Sequence, residues 1–184
     1  MTAKPTSPIG LILQAAHYSA DKHRDQRRKG SRQTPYINHP LEVAERLSTV
    51  GGVEDVTVLV AAILHDTIED TETTEADLAR LFGPEVARLV VELTVDKEPY
   101  WTVRKRNEID DAVKLSDKAK LIKLSDKTSN VADTVANPPG DWTLQRRRDY
   151  LEFARLVADG CRGVNAALDA EFDRVAAEAE KRFR

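Results

Sequence analysis

Residues 56–70 read VTVLVAAILHDTIED. From Val56 to Leu64 every residue except Thr57 is apolar, and the chain then changes abruptly to His65, Asp66, Glu69 and Asp70. A segment that is apolar nearly all round belongs at the centre of a helical bundle. The spacing therefore predicts a helix over about Asp55 to Ile68 whose polar end emerges from the middle of the core and lines a cleft. Neighbouring segments repeat the 3.6-residue period, and strand-type alternation is hard to find. The fold class read from this pattern is all-α.

Upstream, Ser7 and Pro8 pair a cap with a first-turn proline, and Ile9, Ile12, Leu13, Ala16 and Ala20 form one stripe on a helix ending near His23. The basic stretch Arg27 to Asn38 has no apolar period and reads as an exposed loop bending back over the domain. Pro40 opens a second helix, with Leu41, Ala44 and Leu47 inward and Gly51-Gly52 as its stop. Downstream of residue 70, Thr74 and Asp77 approximate a capping box for a helix ending at Gly83, and Pro84 starts another with Val86, Leu89, Val90 and Leu93 as its core stripe. Asp96 to Trp101 reads as a turn holding Pro99, followed by a short basic helix with Arg104, Lys105 and Arg106. Ser116 caps a long helix through Val135, and Asn137 to Asp141 breaks the chain. Closing helices cover about Trp142 to Asp159 and Asn165 to Arg182.

The chain has 184 residues, 28 Lys plus Arg against 31 Asp plus Glu, and 41% hydrophobic residues. That suits one folded domain over residues 1–184 and disfavours disorder. One cysteine, Cys161, excludes an internal disulfide framework and a cysteine-rich zinc module, and points to a reducing, cytoplasmic setting. No apolar run approaches the roughly 20 residues that cross a bilayer. Gln14, Pro5 and Pro8 break the pattern of a cleaved leader, so none is expected. A net charge of −3 predicts no general affinity for nucleic acid, yet Lys22 to Arg32 is strongly basic and Glu69 to Asp77 strongly acidic.

On a continuous helix His65 would sit over Glu69, and Asp66 over Asp70. Three carboxylates at a helix C-terminus oppose its dipole, and a divalent cation would compensate; a solvated acidic helix end is the other reading. His39 precedes the rigid Pro40, and Asp126 lies mid-helix, where Asp has poor propensity. His39, His65, Asp66 and Asp126 together would make a mixed N/O site suited to Mn, Fe or Zn more than to Mg or Ca. Taken singly, His39 also reads as a helix-start hydrogen-bond partner, and Asp126 as a surface ion pair with Lys123 or Lys127. Arg24, Arg27, Arg28 and Lys29 precede His39; Lys123, Lys127 and Asn130 flank Asp126; and Arg146 and Tyr150 are spaced i, i+4. A metal floor with basic walls suits a polyphosphate ester, although each cation taken alone reads better as a solvated charge.

The strings 34–40 (TPYINHP), 65–71 (HDTIEDT), 81–83 (LFG) and 123–127 (KLSDK) resemble the hydrolase domain of the RelA/SpoT homologues, within the wider HD-domain phosphohydrolases. The similarity runs from about Leu11 to Asn165 and is strongest to the stand-alone alarmone hydrolases of metazoan type. The resemblance implies an HD-domain helical bundle, an Mn2+ ion held by His39, His65, Asp66 and Asp126, and water activation by Glu69 and Asp70. It places Arg28, Lys29, Tyr36 and Asn130 on nucleotide, and Arg146 and Tyr150 on phosphate. The implied substrate is a guanosine tetra- or pentaphosphate alarmone, which loses pyrophosphate from its 3′ position to leave GDP or GTP. With no synthetase part in 184 residues, degradation alone is expected. Thr128-Ser129 and Trp101 depart from the family pattern. The competing readings are an HD phosphohydrolase acting on NADPH or a nucleoside monophosphate, and a non-catalytic nucleotide-binding module.

Overall fold

The computed structural model describes residues 7–95 and 100–184, and every named element among them is a helix. In chain order these are α1 (Pro8–Lys22), α2 (Asn38–Thr49), α3 (Val56–Leu64), α4 (Thr67–Asp70), α5 (Glu75–Phe82), α6 (Pro84–Leu93), α7 (Trp101–Ala112), α8 (Asp117–Ala136), α9 (Leu144–Cys161) and α10 (Ala166–Arg182). Residues 96–99 of the turn expected before Trp101 lie outside the described residues. No helix is long and apolar enough to cross a membrane among the described residues.

Local chemistry sets most boundaries. The Ser7, Ser116 and Thr143 hydroxyls each accept a main-chain N–H of the first turn they precede, and Thr74 with Asp77 closes a full capping box. Asp55 takes the N–H groups of Thr57 and Val58 at 2.8 and 3.4 Å, starting α3 with a carboxylate at its positive end. α2 begins at Asn38, two residues before the expected proline start, because Pro40 then falls in the first turn, where a missing N–H leaves no bond unmade.

The helix predicted through Ile68 stops instead at Leu64, and His65 and Asp66 form a turn ahead of the four-residue α4. Side chains compete for the carbonyls here. His65 Nδ1 lies 2.7 Å from Ala62 O, and the Thr67 hydroxyl donates to Leu64 O at 2.7 Å. A continuing helix would offer those two carbonyls to residues 66 and 68. The bend turns the His65-Asp66 pair out of the α3 face pattern.

α3 occupies the centre, with Val58, Val60, Ala61, Ala62, Ile63 and Leu64 buried, and packs against α1, α2 and α6. α8 is the second spine, packed on α2, α9 and α10. The stripe read on α1 is rotated: Ala15 and Ser19 are buried, whereas Ile9 and Leu13 are 71% and 64% exposed. Small residues are the fully buried ones, so the axes can approach closely; Ile12 and Ala16 of the expected stripe stay partly buried against the core, and Ile9 and Leu13 are left outside. On α2 likewise Val43, Ala44 and Leu47 are buried and Leu41 is exposed. The α6 stripe is buried as expected.

The 27–38 loop is docked rather than free. Arg27 and Pro35 form an antiparallel bridge, Arg32 N–H donates to Asn137 Oδ1 at 2.9 Å, and Ser31 N–H to Pro138 O at 3.3 Å. Gly30 is buried at this contact, and a Cβ there would lie 2.2 Å from the Asn137 carbonyl oxygen. Gly30→Ala should therefore lift the loop off the end of α8 and lower stability by about 1–3 kcal/mol. Thermal and urea unfolding would register this, with the expected loss absent if the loop floats free.

Candidate metal centre

Three separate parts of the fold deliver four side chains to one place. The first turn of α2 carries His39, the α3–α4 turn carries His65 and Asp66, and the middle of α8 carries Asp126. Ligand atoms of His39, His65 and Asp126 all lie within 4.8 Å of one another, and all three residues are buried. Asp66 Oδ2 is 3.2 Å from His65 Nε2 and 3.7 Å from His39 Nε2, while Asp126 Oδ1 is 3.1 and 3.9 Å from His39 and His65.

Protonation follows from the backs of the rings. A carbonyl only accepts, so His65 Nδ1, against Ala62 O, carries a hydrogen and Nε2 is the nitrogen turned to the cluster. That Nε2 is buried and has no hydrogen-bond partner. It faces carboxylate oxygen. Two carboxylates directed at one point repel unless positive charge sits among them, and the N/N/O/O donor set fits a divalent ion of the transition series. Burial by itself would raise the Asp126 carboxyl, but Lys127 and His39 hold it well below the usual carboxylate range. Burial opposes the charge on Asp66 too, and His65 and His39 bring it below the ordinary value. Both acids remain ionised.

A further layer braces these groups. The Tyr36 hydroxyl donates to Asp66 Oδ2 at 2.7 Å, and its ring lies 4.9 Å from that of His23. Burial and the neighbouring Asp66 push the Tyr36 phenol up, so it stays a donor. Asn130 donates to Asp126 Oδ1 at 2.5 Å, and Arg28 donates to Asn130 Oδ1 at 2.8 Å and to Asp133 Oδ2 at 3.1 Å. Arg28, Tyr36 and Asn130 thus reach the metal-binding cluster itself. Lys29 is exposed on the same loop.

Glu69 is half-buried beside the cluster and accepts the Val95 N–H at 3.3 Å. Burial, with Asp66 and Asp70 adding to it, raises its carboxyl. Asp70 is exposed, and its carbonyl accepts Gln26 Nε2 at 2.8 Å. On α9, Arg146 lies over Trp142 at 4.8 Å, and the Tyr150 ring is 5.4 Å from that of Trp142. Burial pushes the Tyr150 phenol up to about 12. Lys105 places its ammonium over Phe153, Trp101 and Tyr150 at 4.5, 5.0 and 5.8 Å. Trp101 itself is 61% exposed.

Glu108 escaped the sequence reading. On α7 it sits 2.6 Å from Lys127 and 3.3 Å from Lys123, and Lys127 is in turn 3.2 Å from Asp126 Oδ2. The ion pair of Asp126 with Lys127 exists, but it is buried and belongs to the cluster, whereas Lys123 turns to Glu108 and to the Leu93 carbonyl. An acid on a basic helix carries no special signal; only folding shows it facing two buried lysines.

A model of the HD domain matches residues 15–156. The chain belongs to the HD-domain family. Within that family it is 45% identical over 170 residues to the Xenopus tropicalis guanosine-3′,5′-bis(diphosphate) 3′-pyrophosphohydrolase MESH1, covering 92% of this chain and 95% of that one. Human MESH1 is 45% identical over 163 residues, covering 89% and 91%. Among solved HD-domain structures, that of a metazoan SpoT orthologue that hydrolyses ppGpp superimposes with a TM-score of 0.88 at 42% identity, covering 96% and 98%. A Listeria monocytogenes protein, lmo0812, gives 0.64 at 29% identity over 82% of this chain.

Two measurements probe the electrostatics of this HD-domain centre. Glu108→Ala leaves buried Lys123 and Lys127 without their shared carboxylate and should lower stability by about 3–5 kcal/mol in urea unfolding. Glu69 has a folded pKa above its unfolded value, so it costs stability as pH rises from the unfolded pKa through the folded one, and that cost persists at higher pH. Glu69→Gln should therefore raise the melting temperature of the metal-free protein at pH 7 to 8, and lower or unchanged melting would contradict the sign.

Proposed function

We propose that this chain is a Mn2+-dependent hydrolase of guanosine 3′,5′-bis(diphosphate) and its pentaphosphate analogue, releasing pyrophosphate from the 3′ position to leave GDP or GTP and so ending an alarmone signal. The observation that carries this reading is the convergence of two imidazole nitrogens and two carboxylates, with a buried, unpartnered His65 Nε2 among them, in a chain related to MESH1 over nearly its whole length. His39, His65, Asp66 and Asp126 are the residues that would hold the ion. When bound, a divalent ion supplies Lewis-acid polarisation of a phosphoryl group and acidifies water at neutral pH.

The chain's own residues do the rest. Glu69 uses one oxygen to accept the Val95 N–H, which leaves the other to orient and deprotonate water. Burial, with Asp66 and Asp70 adding to it, raises its carboxyl, the direction that strengthens a base for proton transfer, and Asp70 flanks it. Water attacks the 3′-linked phosphorus, the bond from phosphorus to the ribose oxygen breaks, and that oxygen is protonated as GDP or GTP leaves. Arg28, Lys29, Tyr36 and Asn130 meet the nucleotide, and Arg146 and Tyr150 hold phosphate, with the aromatic-cradled Lys105 beside them. Residues 1–184 act as one HD-type domain, with neither nucleic acid nor membrane as partner. Cys161 is buried and its thiol pushed up to about 11 by that burial, which suits an unreactive role in a cytoplasmic protein.

A substrate panel with Mn2+ tests the reading: ppGpp and pppGpp should yield pyrophosphate, while phosphate released from NADPH or a nucleoside monophosphate in preference would reassign the substrate. Asp66→Ala should lose metal and turnover together, and Glu69→Ala should keep the metal and lose turnover by about 10²–10⁴-fold. Full activity in both variants would refute the site.

A further inference from the structure

The two histidines of the centre are held from behind by different chemistry. His65 Nδ1 meets a main-chain carbonyl, which can only accept, whereas His39 Nδ1 meets the Ser129 hydroxyl at 3.2 Å. Both His39 and Ser129 are buried, at 3% and 1% exposure, so no bulk water can replace that contact. Ser129 lies three residues after Asp126 on α8, and Asn130 four after it, so all three share one helix face. That face presents one carboxylate to the centre, braces the same carboxylate through Asn130, and reaches the back of His39 through Ser129.

We propose that Ser129 is a positioning residue of the metal centre, whose hydroxyl holds the His39 ring and lets its proton reside on Nδ1 when Nε2 binds an ion. The role rests on the metal-dependent reading above. His39 Nε2 lies 3.1 Å from Asp126 Oδ1, a separation at which, with no ion bound, an Nε2–H would donate to the carboxylate and Ser129 would donate to Nδ1. Ion binding requires the opposite arrangement, a bare Nε2 and a hydrogen on Nδ1. A hydroxyl serves both, because it donates or accepts by rotating about one bond. The adjacent Thr128 does not share the task, since its hydroxyl is committed to the Leu124 carbonyl at 2.7 Å.

Mn2+ titration of the metal-stripped protein by calorimetry tests this on four proteins: wild type, Ser129→Ala, Ser129→Thr and Thr128→Ala. Ser129→Ala should bind Mn2+ about 10- to 100-fold more weakly than wild type, the usual effect of deleting the partner behind a metal-ligating histidine. Ser129→Thr should restore most of the affinity, and Thr128→Ala should match wild type. ¹⁵N spectra of the metal-stripped proteins titrated with Zn2+ add a readout independent of turnover: the His39 ring should convert to a single Nδ1–H form at about 10- to 100-fold lower free Zn2+ in wild type than in Ser129→Ala. Equal Mn2+ affinity in wild type and Ser129→Ala, with ppGpp hydrolysis intact, would overturn the role of Ser129 and leave the functional reading standing. Absence of any metal binding by the wild type would overturn both.

Discussion

Everything in this fold that bears on chemistry depends on placing two imidazoles and two ionised carboxylates together inside a helical core. Such a group is strongly unfavourable unless positive charge compensates it. Lys127 supplies part of that charge at 3.2 Å from Asp126, and Tyr36 and Asn130 supply hydrogen bonds to the two acids. His65 Nε2, buried and without a hydrogen-bond partner, is left facing carboxylate oxygen, which is where a divalent ion would complete the balance.

The bundle is arranged to make this cluster possible. α3 brings an almost wholly apolar segment to the centre, then breaks after Leu64, because His65 and Thr67 take carbonyls with their side chains. The break aims His65 and Asp66 toward α2 and α8 instead of along a helix face. α8 answers with a polar stretch enclosed on every side, in which Ser125, Asp126, Lys127, Thr128 and Ser129 are all buried. Each has a polar contact: the Ser125 hydroxyl, for example, donates to the Val43 carbonyl at 3.0 Å and ties α8 to α2 directly below the centre.

Under the proposed function, substrate grip and metal support would not be separate layers. Arg28 and Asn130, which the RelA/SpoT resemblance places on nucleotide, form a hydrogen-bonded chain ending on Asp126. The loop carrying Arg28 is itself pinned to the end of α8 through Asn137. Disturbing that loop therefore reaches Asp126 through Arg28 and Asn130.

The amino-acid sequence alone determined the helical class, most helix boundaries, and the residue types of the centre, because caps, prolines and the 3.6-residue period act within a few residues of one another. His39, His65, Asp66 and Asp126 were legible as candidates for the same reason: an acid mid-helix and a polar end on an apolar run are local anomalies. Tertiary structure decided what periodicity cannot encode. It turned Ala15 and Ser19 inward in place of Ile9 and Leu13, stopped α3 at Leu64, set Glu108 between two buried lysines, and put the Ser129 hydroxyl behind His39. Each of these is a contact between residues distant along the chain, whose outcome depends on how closely whole helices approach.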